Sequence, residues 1–304
     1  MPELPEVQTT VNGLNNKVLN LKILDIWTSY NSPYFKGSKT IKDPEFFRHF
    51  KKEVLNQQII EAERRAKNIL IHLSNNKTIL IHMKMTGHLL YGKYSFNSKD
   101  KKHPWIPISP DSLRDPFNKH IRLMFSFDNG YKLALCDTRK FAKVTLLDSN
   151  NIHTSIHLKD IGPEPLHKDF DFETFKKCLY LHKNKKIKQV LLDQSVIAGI
   201  GNIYADESLW RADIIPTKNV GSINDKTLKK LFEAIKLTLS KGIEFGGDSM
   251  SDYRNIDGER GKFQEKHEAY RRTNQKCRQK SCGGIITKTV VAGRSTHFCN
   301  KHQR

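Results

Sequence analysis

Two groups of residues have the types and spacing to do chemistry, and they stand near opposite ends of the chain. The sequence opens MPELPEV, and a proline in second place permits removal of Met1, which would leave Pro2 as a terminal secondary amine. Terminal amines are far less basic than lysine, with a pKa of about 8. The positive end of a following helix favours the neutral form further. A neutral amine can attack an electrophilic sugar carbon. A secondary amine joined to an aldehyde carbon gives an iminium that is necessarily cationic. That cation is an electron sink, which acidifies the neighbouring C–H and favours elimination. Glu3 stands beside it as a general acid or base. The second group is Cys277-x4-Cys282-x16-Cys299-x2-His302. Two close pairs joined by a hairpin-length spacer are what a tetrahedral zinc requires, and three thiolates with one imidazole make a closed, structural site. The spacer TKTVVAGRSTHF reads as a hairpin turning near Ala292-Gly293, which would project Arg294 from its tip.

A third stretch suits a polyanion. VIAGIGNIYADESLW places Gly199, Gly201 and Asn202 between two helical patterns, where the backbone can approach a ligand closely and the next helix presents free amides to a phosphate. Lys183, Lys185, Lys186 and Lys188 lie just upstream, and 52 lysines and arginines against 32 acids give the 304-residue chain a formal charge of +20. That balance fits nucleic acid or an anionic surface. No run of eighteen apolar residues offers a membrane span. The N-terminus lacks the basic and apolar regions of a signal peptide, so a soluble intracellular protein is expected. Cys136 and Cys178 stand alone in apolar stretches and read as reduced core residues. The odd count of five argues against a disulfide framework.

These groups need elements to hold them. Residues 5–18 read as a helix with Pro5 in its first turn and Val7, Val11, Leu14 and Val18 as its buried stripe. From about 20 to 147 the pattern is one of short strands: LKILDIW, NILIHLS, KTILIHMKM, HLLYG, IRLMFSF, YKLALCD and KFAKVTLLD. FDNGY marks a hairpin, and Ile121, Leu123, Phe125 and Phe127 alternate as in a half-buried antiparallel strand. A sandwich is expected, with 93–118 as an inserted polar loop. A linker over 148–169 precedes helical patterns in FETFKKCLYLHK, IKQVLLDQSV and IYADESLWRAD. A longer helix follows, capped by Asn224. Residues 246–268, with four glycines, read as a flexible loop.

In this order PELPEV, RRAKNILIHL, IHMKMTGHLL, KHIRL, DTRKFAKV, IGPEPL, LLDQSVIAGIGNIYADESLW, SMSDYRNIDGERGKF and the cysteine hairpin resemble the formamidopyrimidine-DNA glycosylases, bifunctional glycosylase/AP lyases of the Fpg/Nei family. The resemblance covers nearly the whole chain. It implies an α+β fold: an N-terminal helix and antiparallel β-sandwich over 1–147, the linker, a helical helix–two-turn–helix domain with a lesion loop over 170–268, and a zinc finger over 269–304. It implies excision of oxidised purines from double-stranded DNA by a monomer carrying one structural zinc, with no other cofactor. Pro2 would be the nucleophile, Glu3 the proton donor, Lys67 the β-elimination residue and Arg294 the δ-elimination residue, with Glu6 nearby. Met85, Arg139 and Phe141 would fill the gap left by a flipped nucleotide. His82, His120, Asn184, Lys188 and Asn202 would meet DNA, largely its phosphates. An endonuclease VIII-type enzyme for oxidised pyrimidines, or a non-catalytic zinc-finger DNA binder, are the alternatives. PELPEV and the long loop favour the formamidopyrimidine branch, and a mere binder has no use for Pro2, Glu3 and Lys67 together. The chain departs from the family pattern at His302, where cysteine is usual, at Ala66, where glycine is common, and at Asn184, where a basic residue is usual.

Overall fold

The computed structural model describes residues 1–30 and 32–304. The chain divides into two compact units, each built from two stretches of sequence: 1–159 with 246–262, and 160–245 with 263–304.

The first unit begins with helix α1 (Leu4–Lys17), which has Pro5 in its first turn. Val7, Val11 and Leu14, with Val18 just beyond the last turn, are all buried in the main core. Each such side chain contributes about 1.5–3 kcal/mol by leaving water. Nine strands follow among the described residues: β1 (Ile23–Thr28), β2 (Ile59–Arg65), β3 (Asn68–Leu73), β4 (Lys77–His82), β5 (His88–Phe96), β6 (Trp105–Ser109), β7 (Ile121–Phe127), β8 (Lys132–Cys136) and β9 (Lys143–Asp148). They form a five-stranded sheet β1-β7-β8-β5-β6 and a four-stranded sheet β2-β3-β4-β9. All their pairings are antiparallel, and inward residues of both sheets share one core.

Three features differ from the sequence reading. Helix α2 (Pro44–Val54) interrupts the run of strands. Asp43 caps it by accepting the Glu45 N–H, and Phe50 and Val54 are buried from it. Strand β2 adds an edge to the second sheet. The inserted segment contains β6 and lays Leu113 and Trp105 on the outer face of the five-stranded sheet, against Leu90, Ile121 and Met124. That cover is why Met124, placed by alternation on the wet side, is buried.

The segment 246–262 belongs with this unit rather than with the helices that flank it in sequence. Ile256 enters the main core, and its carbonyl accepts the Tyr91 N–H at 2.7 Å.

The second unit holds α3 (Phe172–Tyr180), α4 (Ile187–Leu192), α5 (Asn202–Arg211) and α6 (Asp225–Glu244), then the hairpin β10 (Ile286–Val291) and β11 (Arg294–Cys299). Asn224 caps α6 by accepting the Thr227 N–H at 2.9 Å. Among the described residues no helix is long and apolar enough to cross a membrane.

Candidate active site and metal cluster

In the first unit the chemistry gathers where α1 begins. Glu3 is the N-cap, in extended conformation, and Pro2 precedes it in a buried position. Glu6, one turn on, closes a capping box: its Oε2 accepts the Glu3 N–H at 2.7 Å. Its Oε1 accepts the Asp248 N–H, also at 2.7 Å. Gly247, at φ +85°, lies so close that a Cβ there would stand 2.8 Å from Glu6 Cγ. Tyr253 donates its hydroxyl to the Glu6 carbonyl at 3.0 Å, and burial raises its pKa, which keeps it a donor. Glu6 therefore fixes the backbone of Glu3 with one oxygen and the 246–262 segment with the other.

Lys67 sits in the tight turn between β2 and β3, where Arg65 pairs with Asn68. Ala66 takes the left-handed conformation, φ +54°, that a glycine would adopt without strain. The Asn15 side chain bonds both backbone groups of Ala62, and Arg64 Nε donates to Gln8 Oε1 at 2.8 Å. Going from Asn15 to Gln8 along α1 thus follows β2 toward its end, so the start of α1 and the Lys67 turn lie at one end of the unit.

His82 ends β4 opposite Asn68. Its Nδ1 accepts the Lys84 N–H at 3.0 Å. Burial first, then the charges of Lys84 and Lys67, push its pKa down to about 3. It is a neutral imidazole at pH 7, able to meet a phosphate as a hydrogen-bond donor but not as a cation. The His120 ring is half-buried and likewise shifted down, by burial and then by Arg122 and His103.

Met85, Arg139 and Phe141 are exposed on two loops that one buried carboxylate ties together. Asp137 Oδ1 accepts the Thr86 hydroxyl at 2.5 Å, while Oδ2 accepts Tyr30 Oη at 2.9 Å and the Ala142 N–H at 2.8 Å. Thr86 Oγ1 in turn accepts the Arg139 N–H at 3.1 Å. The Arg139 guanidinium lies 4.7 Å over the Phe141 ring. Asp137, Thr86 and Tyr30 escaped the sequence reading, although Asp137 opens the quoted DTRKFAKV stretch.

In the second unit the glycine turn forms between α4 and α5. Gly199 has φ +82°, and Gln194 spans the turn by accepting the Gly199 N–H and donating to the Ile200 carbonyl. Asn184 is exposed. Asn202 opens α5, but its amide donates to the Ser295 carbonyl at 2.9 Å. Lys188 departs from the expected phosphate contact, because its side chain has no exposed surface. Its Nζ pairs with Asp206 Oδ1 at 2.6 Å and donates to Thr296 Oγ1 at 2.8 Å and the Ser295 carbonyl at 3.1 Å. Asp206 also accepts the His297 N–H at 2.8 Å, so this buried pair fastens α4 and α5 to β11. The β10–β11 turn is Ala292-Gly293, both at positive φ, and Arg294 leaves it exposed.

Cys277, Cys282, Cys299 and His302 converge, their four ligand atoms within 4.8 Å of one another. Cys277 Sγ and Cys282 Sγ lie 3.4 and 3.5 Å from His302 Nδ1, and Cys282 and Cys299 sulfurs are 3.5 Å apart. A tetrahedral zinc with bonds of about 2.3 Å to sulfur and 2.0 Å to nitrogen has ligand edges of roughly 3.5–3.8 Å, which small side-chain adjustments reach, so the donor set fits. Trp210 supports both halves: its indole N–H points to Cys277 Sγ at 3.4 Å, and its carbonyl lies 3.2 Å from His302 Nε2. That contact leaves Nδ1 as the ligating atom. Gly284 is required, since a Cβ there would meet Cys299 Sγ at 2.7 Å.

Three family models match the chain: the formamidopyrimidine-DNA glycosylase N-terminal domain over residues 1–144, the formamidopyrimidine-DNA glycosylase H2TH domain over 161–254, and a zinc finger found in FPG and IleRS over 274–301. The formamidopyrimidine-DNA glycosylase of Heliobacterium modesticaldum is 35% identical over 304 residues, 100% of both chains. A variant of the Lactococcus lactis Fpg, solved with DNA containing Fapy-dG, superposes with a TM-score of 0.80 at 32% identity over 98% of each chain. MutM solved with DNA containing carbocyclic 8-oxo-G superposes at 0.79, also at 32% identity over 98% of each chain. Matched from end to end by relatives of this kind, and carrying Pro2 and Glu3 at the mouth of its first helix, the chain belongs to the formamidopyrimidine-DNA glycosylase family.

Proposed function

We propose that this protein excises oxidised purines, 8-oxoguanine and formamidopyrimidines, from double-stranded DNA and then cleaves the strand at the vacated sugar. The observation that carries this reading is the start of α1, where Pro2 adjoins the N-cap Glu3 and Glu6 holds the backbone between them. With Met1 removed, the Pro2 nitrogen attacks C1′ and the C1′–base bond breaks. Glu3 supplies the proton needed as the sugar ring opens to a cationic iminium. Loss of a C2′ proton then expels the 3′ phosphate in β-elimination, with the Lys67 ammonium on the departing charge. A second elimination expels the 5′ phosphate, with Arg294 on it. Water hydrolyses the remaining iminium and returns Pro2 as an amine. Met85, Arg139 and Phe141 occupy the space of the extruded nucleotide, while His82, His120, Asn184 and Asn202 serve as backbone contacts. Cys277, Cys282, Cys299 and the Nδ1 of His302 hold one structural zinc, which fixes the hairpin bearing Arg294.

Borohydride added to the protein and a duplex with an abasic site should trap a covalent adduct, and Pro2→Gly should trap far less. Retention of Met1 in active protein, seen by mass spectrometry, would refute the covalent role. Arg294→Ala at saturating enzyme should accumulate 3′-aldehyde ends over 3′-phosphate ends. An unchanged ratio removes Arg294 from the chemistry.

A further inference from the structure

The part of the inserted segment beyond β5, residues 97–118, is built against 246–262, the same stretch that Glu6 holds at its other end. Asp115 and Arg254 form a two-pronged ion pair, Nε–Oδ2 at 3.0 Å and Nη2–Oδ1 at 3.3 Å, with the arginine side chain 4% exposed. The Phe117 ring lies 4.8 Å beneath the same guanidinium. Arg254 Nη1 donates to the carbonyls of Ser251 and Tyr253, both at 2.9 Å, which closes the segment on itself. Ser112 donates its hydroxyl to the Asp257 carbonyl. Gly258, at φ +81°, packs so that a Cβ would stand 2.9 Å from the Ser112 carbonyl oxygen. A planar guanidinium in a fork with a carboxylate tolerates little rotation, so it sets a register as well as adding attraction. One continuous set of contacts thus runs from Asp115 and Phe117 through Arg254 to Tyr253, from Tyr253 and Asp248 to Glu6, and from Glu6 to the Glu3 backbone.

We propose that Asp115 and Phe117 are positioning residues for base excision: the insertion braces 247–258 in one conformation against Glu6 and so holds Glu3 where it delivers its proton. This rests on the glycosylase reading above. The proton from Glu3 is spent while the base is leaving. Once an abasic aldehyde exists, Pro2 can condense with it whether or not the damaged base was ever held. Loss of the brace therefore slows excision and spares cleavage at a ready-made abasic site.

The test compares wild type, Asp115→Ala and Phe117→Ala, the last at a half-exposed ring whose removal leaves the core intact. Hydrogen exchange at the Asp248 and Gly258 amides should quicken at least about tenfold in both variants, as for a segment freed to open locally. Single-turnover excision of 8-oxoguanine opposite cytosine should fall about tenfold or more, while cleavage of a preformed abasic duplex stays within about twofold. The double reversal Asp115→Arg with Arg254→Asp should recover part of both losses. Unchanged exchange overturns the brace, whatever the activity. Equal losses in excision and abasic cleavage, or none in either, overturn the positioning role. Wild-type protein that cleaves neither duplex defeats the glycosylase reading instead, and the exchange measurement still judges the brace.

Discussion

Two tight hairpins, one in each unit, carry a cation in or just after the turn, and the same local geometry is supported in opposite ways. Across Ala66-Lys67 the strands close from Arg65 to Asn68. Across Ala292-Gly293 they close from Val291 to Arg294. Each turn has an alanine in the left-handed region, at +54° and +50°. The first is the lip of a four-stranded sheet, with Ile69, Leu70 and Ile71 buried behind it, and Lys67 is only 6% exposed. The second tops a sheet of two strands, which alone is marginal in water. Its order comes from the cysteine–histidine cluster at its far end and from Lys188 and Asp206 beneath it. Packing holds the buried lysine, whereas a cysteine–histidine cluster and one interior ion pair hold the hairpin of the exposed arginine.

The comparison breaks most visibly at the metal. Cys277→Ala with Cys282→Ala should abolish zinc binding, which for such sites is folding free energy outright, and reduce DNA affinity about 100-fold at fixed salt. Amides of β3 and β4 should keep their exchange protection, and full metal content in that variant would overturn the ligand assignment. Lys188→Ala comes next. It strands a buried carboxylate, so thermal or urea unfolding of the second unit should show a loss of about 3–5 kcal/mol. Because Lys188 touches no solvent, the salt dependence of DNA binding should keep its slope, whereas a lost phosphate contact would lower it by about 1.

The third prediction concerns pH and the first unit alone. The folded chain holds His82 at a pKa of about 3 against 6.5 for the free residue. Below pH 6.5 the unfolded chain takes up a proton that the folded chain refuses, so this contribution to stability is whole above 6.5 and fades as pH falls toward 3. His82→Gln should flatten acid unfolding in that window. Lys67→Met should raise the His82 pKa, read by NMR titration, since the lysine charge is one of its causes. The smallest effect is Ala292→Asn. Asparagine accepts the left-handed conformation more readily, and at this exposed site it should add about 0.5–1 kcal/mol to the second unit in calorimetry.

The parts legible in the sequence were those whose signal is periodic or local. The stripe of α1, seven of the nine sandwich strands, the Asn224 cap and the Cys/His spacing are all of that kind. Helix α2 was missed although Asp43-Pro44 is a cap followed by a first-turn proline, because its eleven residues stand between strand-like neighbours. Strand β2 was missed because only Ile59 and Ala62 are buried along it, and a register shift after Ile59 breaks the alternation. The fate of Lys188 could not be read at all: its partner Asp206 lies eighteen residues away on another helix, and nothing local separates an interior lysine from a solvated one. The glycines of 246–262 spoke of flexibility, yet Gly247 and Gly258 serve close packing against Glu6 and Ser112.

That last segment bears on the order in which the protein is made. Its Ile256 completes a core whose other members all come before residue 160. The ribosome must therefore add about a hundred more residues before the first unit can close. At roughly 5–20 residues per second that is a wait of about 5–20 s. Through that interval Gly13, where a side chain would collide with Ile256, faces an unfilled site, and Glu6 lacks the amide of Asp248. The start of α1 is thus made long before the segment that sets it, so a nascent chain that stops short of residue 246 carries Glu3 and Glu6 without the frame that fixes them.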